Sequence, residues 1–78
     1  MTARLDALLL EAHARGDSLA LMNLYAKAAD GAKTEEAQAF FLTHAYVFAL
    51  ESGSDLAPSL RQRLIDMKRE SPLQPNVS

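Results

Sequence analysis

The longest continuous apolar pattern in the chain runs from Glu35 to Gly53 and contains all three phenylalanines. Apolar side chains fall on nearly all sides of this segment when it is wound as a helix, and the period of two typical of a strand is absent. Aromatic side chains remove too much area from water to remain exposed, so the pattern predicts a helix that other helices cover. We expect Phe41 and Phe48, which share its central face, to be fully buried.

Three further segments carry apolar residues at helical spacing. Two of them precede the aromatic segment, and the second has two apolar stripes, one of which runs through Leu21, Leu24 and Ala28. The last has a narrow stripe in which Leu60 and Leu64 are expected core residues. The sequence therefore predicts four helices, at 2–15, 18–29, 34–52 and 55–70.

Capping residues mark the ends of these helices. Asp17 or Ser18 can cap the second helix and Thr34 the third, while Gly53 can end the third in the left-handed conformation. Pro58 falls in the first turn of the fourth helix, where its missing N–H costs little. Short turns favour antiparallel neighbours. We therefore predict an all-α domain of four antiparallel helices over 1–70, and an unpacked, flexible tail over 71–78.

Composition narrows the class of protein. With 78 residues, 49% of them hydrophobic and 23% charged, the chain is expected to fold as one domain. It has no cysteine, which excludes a disulfide scaffold and a thiolate zinc site. The apolar run at Leu8 to Leu10 is short and bracketed by acidic residues, so it predicts neither a signal peptide nor a membrane span. We expect a cytoplasmic protein with no membrane partner.

No residue pattern points to catalysis, a cofactor or a metal. His13 and His44 are the only histidines, and neither has a second ligand at i+4. We interpret His44 as a structural residue whose ring nitrogen bonds to a neighbour. Glu35 and Glu36 diverge because adjacent residues on a helix face different ways. The sequence therefore predicts a non-enzymatic protein without cofactor.

A basic cluster on the fourth helix gives the strongest argument for binding nucleic acid. Two helices joined by a tight glycine turn could resemble a helix-turn-helix with its basic side chains towards DNA. Asp66 and Glu70 interrupt the cluster, and the whole chain carries a formal net charge of −2. A small DNA-associated regulator is therefore the alternative hypothesis. The cluster consists of Arg61, Arg63, Lys68 and Arg69.

Part of the sequence recurs at a fixed offset. The segments 12–20 and 49–57 share Ala, Gly, Leu and Ala at matching positions, a separation typical of helix-pair repeats. With Leu24-Tyr25 on one helix and Phe40-Phe41 on the next, the chain resembles the tetratricopeptide superfamily, in particular its Sel1-like branch, over about one and a half repeats. The resemblance implies an α-solenoid fragment or small helical bundle that binds proteins.

The same resemblance implies that a partner-facing surface comes from the second and fourth helices. Asn23 and Lys27 are one turn apart on the second helix and polar among apolar neighbours, and Arg61 lies on the fourth. These three residues are candidate partner-binding positions. Spare apolar surface also favours a symmetric homodimer. It lies on the second helix at Leu21, Leu24 and Ala28, and on two sides of the third helix, one with Tyr46 and Leu50 and the other with Phe40 and Val47. We therefore expect an interaction module or small adaptor whose partner is another protein or a second copy.

Overall fold

The computed structural model describes residues 3–67 and is all-α. Four helices follow one another, and no strand occurs within these residues: α1 (Ala3–Arg15), α2 (Ser18–Asp30), α3 (Glu35–Ser52) and α4 (Ala57–Asp66). Successive helices pack against each other, and the contact between α2 and α3 is the most extensive. α4 ends at Asp66 and Met67 lies in a turn, so the expectation that this helix continues unbroken to 70 is wrong. Residues 68–70 and the predicted tail at 71–78 lie outside the described residues. No helix of the described part is both long and apolar enough to cross a membrane.

Local capping chemistry fixes the ends of α2 and α3. The Asp17 carboxylate accepts the N–H of Ala20 at 3.0 Å, and the Thr34 hydroxyl oxygen accepts that of Ala37 at 3.1 Å. Each bond satisfies an amide that the first turn of a helix leaves unpaired. Gly53 ends α3 with φ 66°, a left-handed conformation that glycine adopts without the steric penalty of a Cβ. These predicted caps are confirmed.

The start of α4 was predicted two residues too early. The Ser54 hydroxyl accepts the N–H of Leu56 at 3.1 Å, and Ala57 N–H donates to the Ser54 carbonyl at 3.2 Å. This local turn precedes the helix instead of capping it, because a serine side chain can satisfy a nearby amide outside a helix. Pro58 is nevertheless in the first turn of α4, as expected.

Alanine dominates the contacts between the helices. Ala29, Ala45 and Ala49 are fully buried in one cluster with Met22, Leu42 and the two predicted core leucines of α4, Leu60 and Leu64. Because alanine has a single methyl group, helices that meet through it approach closely and leave little room for larger side chains between them. No polar or charged side chain is buried within residues 3–67. The core is therefore apolar and rich in alanine.

The expectation that Phe41 and Phe48 are fully buried is wrong. Both are only half-buried and pack against the edge of the alanine-rich core. Alanines at the buried contact between the helices allow them to approach closely, which leaves little space there for a phenylalanine ring. The rings instead lie beside the seam, where the Tyr25 ring stacks on Phe48 with centroids 5.8 Å apart.

The first helix covers the second apolar stripe of α2. Leu9 and Ala12 of α1 pack against Leu21, which is 2% exposed, and Ala28 is buried as well. The expectation that this stripe is free to form a dimer interface is wrong for Leu21 and Ala28, because both are buried within the chain. The large exposed apolar side chains are Leu8 and Leu10 of α1, Leu19 at the start of α2, Phe40, Val47 and Leu50 of α3, and Leu56 before α4.

Candidate functional site

An apolar groove lies where α1, α2 and the beginning of α3 meet. Leu5 of α1, Ala28 of α2 and Phe41 of α3 line its larger part, a cavity of about 560 Å³. A smaller cavity of about 350 Å³ adjoins it and adds Leu8 and Leu24. We call both together the N-terminal groove, because they share Leu5 and Lys27. Its full lining is Arg4, Leu5, Leu8, Leu24, Lys27, Ala28, Gly31, Ala32, Lys33, Thr34, Ala37 and Phe41.

The groove exists because α1 packs closely on α2 only through part of its length. Leu9 and Ala12 are buried against Leu21, whereas Leu8 is 40% exposed and Leu5 half-buried. The turn from α2 to α3 closes the far end, with the Gly31 N–H donating to the Lys27 carbonyl at 3.2 Å. The floor and walls of the groove are therefore held by helices and by a hydrogen-bonded turn.

All the charged side chains that line the N-terminal groove are cationic. They are Arg4, Lys27 and Lys33, and all three are exposed. None of the three takes part in an ion pair within residues 3–67. The ion pairs there join Arg15 to Glu11 and Asp17, and Arg63 to Asp30. The groove thus combines an apolar lining with three uncompensated positive charges, in a chain whose formal net charge is −2.

A second apolar surface follows the outer side of α3. Phe40 is 56% exposed, Val47 44% and Leu50 57%, and Thr43 is exposed between them. We call these four residues the outer stripe. Their spacings of three, four and three residues place them on one face of the helix. Beside the stripe, Tyr46 and Leu50 line a cavity with Pro58 and Arg61 of α4.

Both histidine side chains contact aromatic residues. The His44 Nδ1–H donates to the Phe40 carbonyl at 2.9 Å, an arrangement that fixes the tautomer because a carbonyl can only accept. This hydrogen bond agrees with the structural role expected for His44. The His13 Nε2 lies 3.2 Å from the Tyr25 hydroxyl, and its ring contacts Phe48 edge-on. Within the described residues, no group of three or more His, Cys, Asp or Glu side chains could hold a metal ion.

The basic cluster of α4 is divided. Arg63 donates to Asp30 at 3.0 Å, which joins α4 to the end of α2 and compensates its charge. Arg61 lies beside the outer stripe. Lys68 and Arg69, the other two members, are outside the described residues. The described part of the α4 cluster therefore presents one uncompensated arginine, Arg61, and not a continuous basic face.

The three predicted partner-binding residues occupy different surfaces. Lys27 lines the N-terminal groove, Arg61 lies beside the outer stripe, and Asn23 is exposed on α2. Leu5 and Leu8 also line the groove, although neither is among the predicted partner-binding residues. The sequence contained a signal for them, because Leu5 and Leu8 widen the apolar face of α1 beyond Leu9 and Ala12. Those two are the residues of α1 that the fold buries.

Comparisons with known proteins identify no relative. No family model matches the chain, and neither a curated protein nor a solved structure matches it. The surfaces of the described residues are therefore the basis for proposing a function.

Proposed function

We propose that the protein is a non-catalytic interaction module that binds an apolar, acidic segment of another protein in the N-terminal groove. The observation that carries the proposal is the combination of an apolar lining with Arg4, Lys27 and Lys33, which no ion pair within residues 3–67 compensates. An adaptor of the helix-pair type, with antiparallel helices as in tetratricopeptide-like repeats, is consistent with this role, and the cysteine-free sequence suits a cytoplasmic location.

The apolar lining of the groove favours a helical segment as the ligand. Leu5 of α1 lines both cavities, with Phe41 of α3 in the larger and Leu24 of α2 in the smaller, so three helices contribute apolar side chains. An amphipathic helix uses such a groove by inserting apolar side chains at i, i+3 and i+4. The proposed ligand therefore has an apolar stripe that enters the groove.

The cationic side chains of the groove determine which charge the polar face of that ligand should carry. Lys27 and Lys33 are exposed, so carboxylates on a bound helix could approach them without either charge leaving water. Such contacts add little affinity individually, but they select acidic over basic ligands and accelerate association. We therefore expect charge discrimination at modest affinity.

A pair of synthetic peptides tests the proposal. Both peptides carry leucines at helical spacing, with glutamates on the polar face of one and lysines at the same positions in the other. We expect the glutamate peptide to bind at micromolar concentration and more weakly as salt rises, because screening weakens exposed charge contacts. The double variant Lys27→Glu with Lys33→Glu should reverse the preference and bind the lysine peptide more tightly. Fluorescence anisotropy of labelled peptides measures both affinities.

A control variant places a new negative charge outside the groove. Ser59 is exposed on α4 and lies outside the lining of the groove, so Ser59→Glu should leave both affinities unchanged within about twofold. Equal binding of the two peptides to the parent protein, or no reversal in the double variant, would contradict the proposed groove.

A further inference from the structure

We infer that the outer stripe of α3 is an interface for a second copy of this chain, with the two α3 helices packed antiparallel about a twofold axis. This surface is separate from the N-terminal groove, so the inference does not depend on the proposed ligand. Phe40, Val47 and Leu50 are each exposed to 44% or more, although exposed apolar stripes on a helix are normally covered.

The order of residues along the stripe is self-complementary. Phe40 and Leu50 lie at equal distances on either side of residue 45, and so do Thr43 and Val47. An antiparallel twofold pairing therefore places Phe40 of one copy against Leu50 of the other, and Thr43 against Val47. The Phe40–Leu50 layers pair a larger side chain with a smaller one, and the Thr43–Val47 layers pair two small β-branched side chains, which allows the helices to approach at the centre of the interface. The spacings of three, four and three residues are those of a coiled-coil seam.

Charge at the two ends of the stripe favours the same arrangement. No charged residue occurs between Glu36 and Glu51 in α3, so the seam itself is neutral. Glu36 is one turn before Phe40, and Arg61 lies beside Leu50 at the other end. These ends are about 21 Å apart along one helix, but the antiparallel pairing brings Glu36 of one copy near Arg61 of the other. Within residues 3–67, neither side chain takes part in an ion pair.

The size of the stripe limits the strength of the dimer. Phe40, Val47 and Leu50 together expose roughly 300 Å², the size of the largest apolar patch on a typical monomer. Tyr46, Pro58 and Arg61 add to this area, yet the total for two copies stays below the roughly 1,200 Å² that separates weak from standard interfaces. We therefore expect reversible dimers that dissociate in the micromolar to submillimolar range.

Sedimentation equilibrium over a wide concentration range tests the interface. The parent chain of 8.5 kDa should approach twice that mass at hundreds of micromolar. Val47→Glu places a charge near the twofold axis in both copies and should weaken association at least tenfold. Leu19→Glu is the control, because Leu19 is a comparably exposed apolar residue, at 53%, that belongs to α2 and not to the outer stripe, and this variant should associate like the parent.

A charge exchange tests the orientation. Glu36→Arg and Arg61→Glu should each weaken association, and the double variant should recover affinity close to that of the parent, because both new pairs again join opposite charges across the interface. A parent chain that stays monomeric at these concentrations, or Val47→Glu dimers as stable as those of the parent, would overturn the interface. Absence of recovery in the double variant would overturn the antiparallel arrangement. Val47→Glu should bind the glutamate peptide as tightly as the parent does, because the outer stripe is separate from the N-terminal groove.

Discussion

Replacing Leu42 with alanine is expected to remove a large part of the stability of the protein. Leu42 is 0% exposed at the centre of the core formed by α2, α3 and α4, so truncation leaves a cavity that the surrounding helices cannot readily fill. Such substitutions cost about 2–5 kcal/mol. The whole free energy of unfolding expected for 78 residues is only about 4–12 kcal/mol. Urea denaturation followed by circular dichroism should show a much lower midpoint, or a variant that is already largely unfolded.

Two comparisons make the Leu42 prediction specific. Leu10 is 72% exposed on α1, so Leu10→Ala should change stability by less than about 0.5 kcal/mol. Phe41 is larger than Leu42 but only half-buried, and Phe41→Ala should therefore cost less than Leu42→Ala. The reverse order would mean that the phenylalanine, and not the leucine, lies at the centre of the core. Measurements at low protein concentration keep self-association from contributing to stability.

Enlarging a core alanine should be almost as damaging as truncating Leu42. Ala45 is 0% exposed and packs in the same cluster as Ala29 and Ala49, so a longer side chain there has no free space to occupy. Overpacking of this kind costs about 1–3 kcal/mol because side chains leave their preferred rotamers or the backbone shifts. We expect Ala45→Leu to lower the urea midpoint clearly, even though leucine is nearly as good a helix former as alanine.

An exposed alanine provides the control for Ala45→Leu. Ala14 is exposed near the end of α1, so Ala14→Leu introduces the same side chain without overpacking and should change stability by less than about 0.5 kcal/mol. If Ala45→Leu and Ala14→Leu melt alike, the close approach of the helices proposed at Ala45 is wrong.

The helices could be predicted from sequence because their signals are local. Asp17 and Thr34 cap with short side chains, and Gly53 adopts a left-handed conformation within a single turn. Each of these signals acts over a few residues, so a pattern along the chain is enough to locate it. The start of α4 was misplaced because Ser54 can equally cap a helix or close a turn, and the sequence does not distinguish the two.

The identity of the core residues could not be predicted in the same way. Periodicity placed Phe41 on the central face of α3, but it could not show that alanines and leucines fill the buried cluster while Phe41 and Phe48 are only partly buried against it. Amphipathicity measures which side of a helix is apolar, and not the distance between two helices. For the same reason, the sequence did not show that α1 covers Leu21 and leaves Leu5 and Leu8 to line a groove.

The proposed binding site was predictable only in part. Lys27 stood out because it is a polar residue among apolar neighbours, and it does line the groove. Leu5 and Phe41 approach it from helices that are far apart in the sequence, so no spacing rule could have joined the three. Arg61 was assigned to the same surface as Lys27, but the structure places it beside the outer stripe.

Mapping the glutamate peptide on the protein by NMR tests the central claim most directly. In a titration of ¹⁵N-labelled protein, at a concentration where it is monomeric, we expect saturable shifts of the backbone amides that border the N-terminal groove. Lys27, Gly31 and Phe41 should be among them, with little change at Leu64 on α4. Shifts concentrated on α4 or on the outer stripe, with the amides of the groove unchanged, would contradict the account.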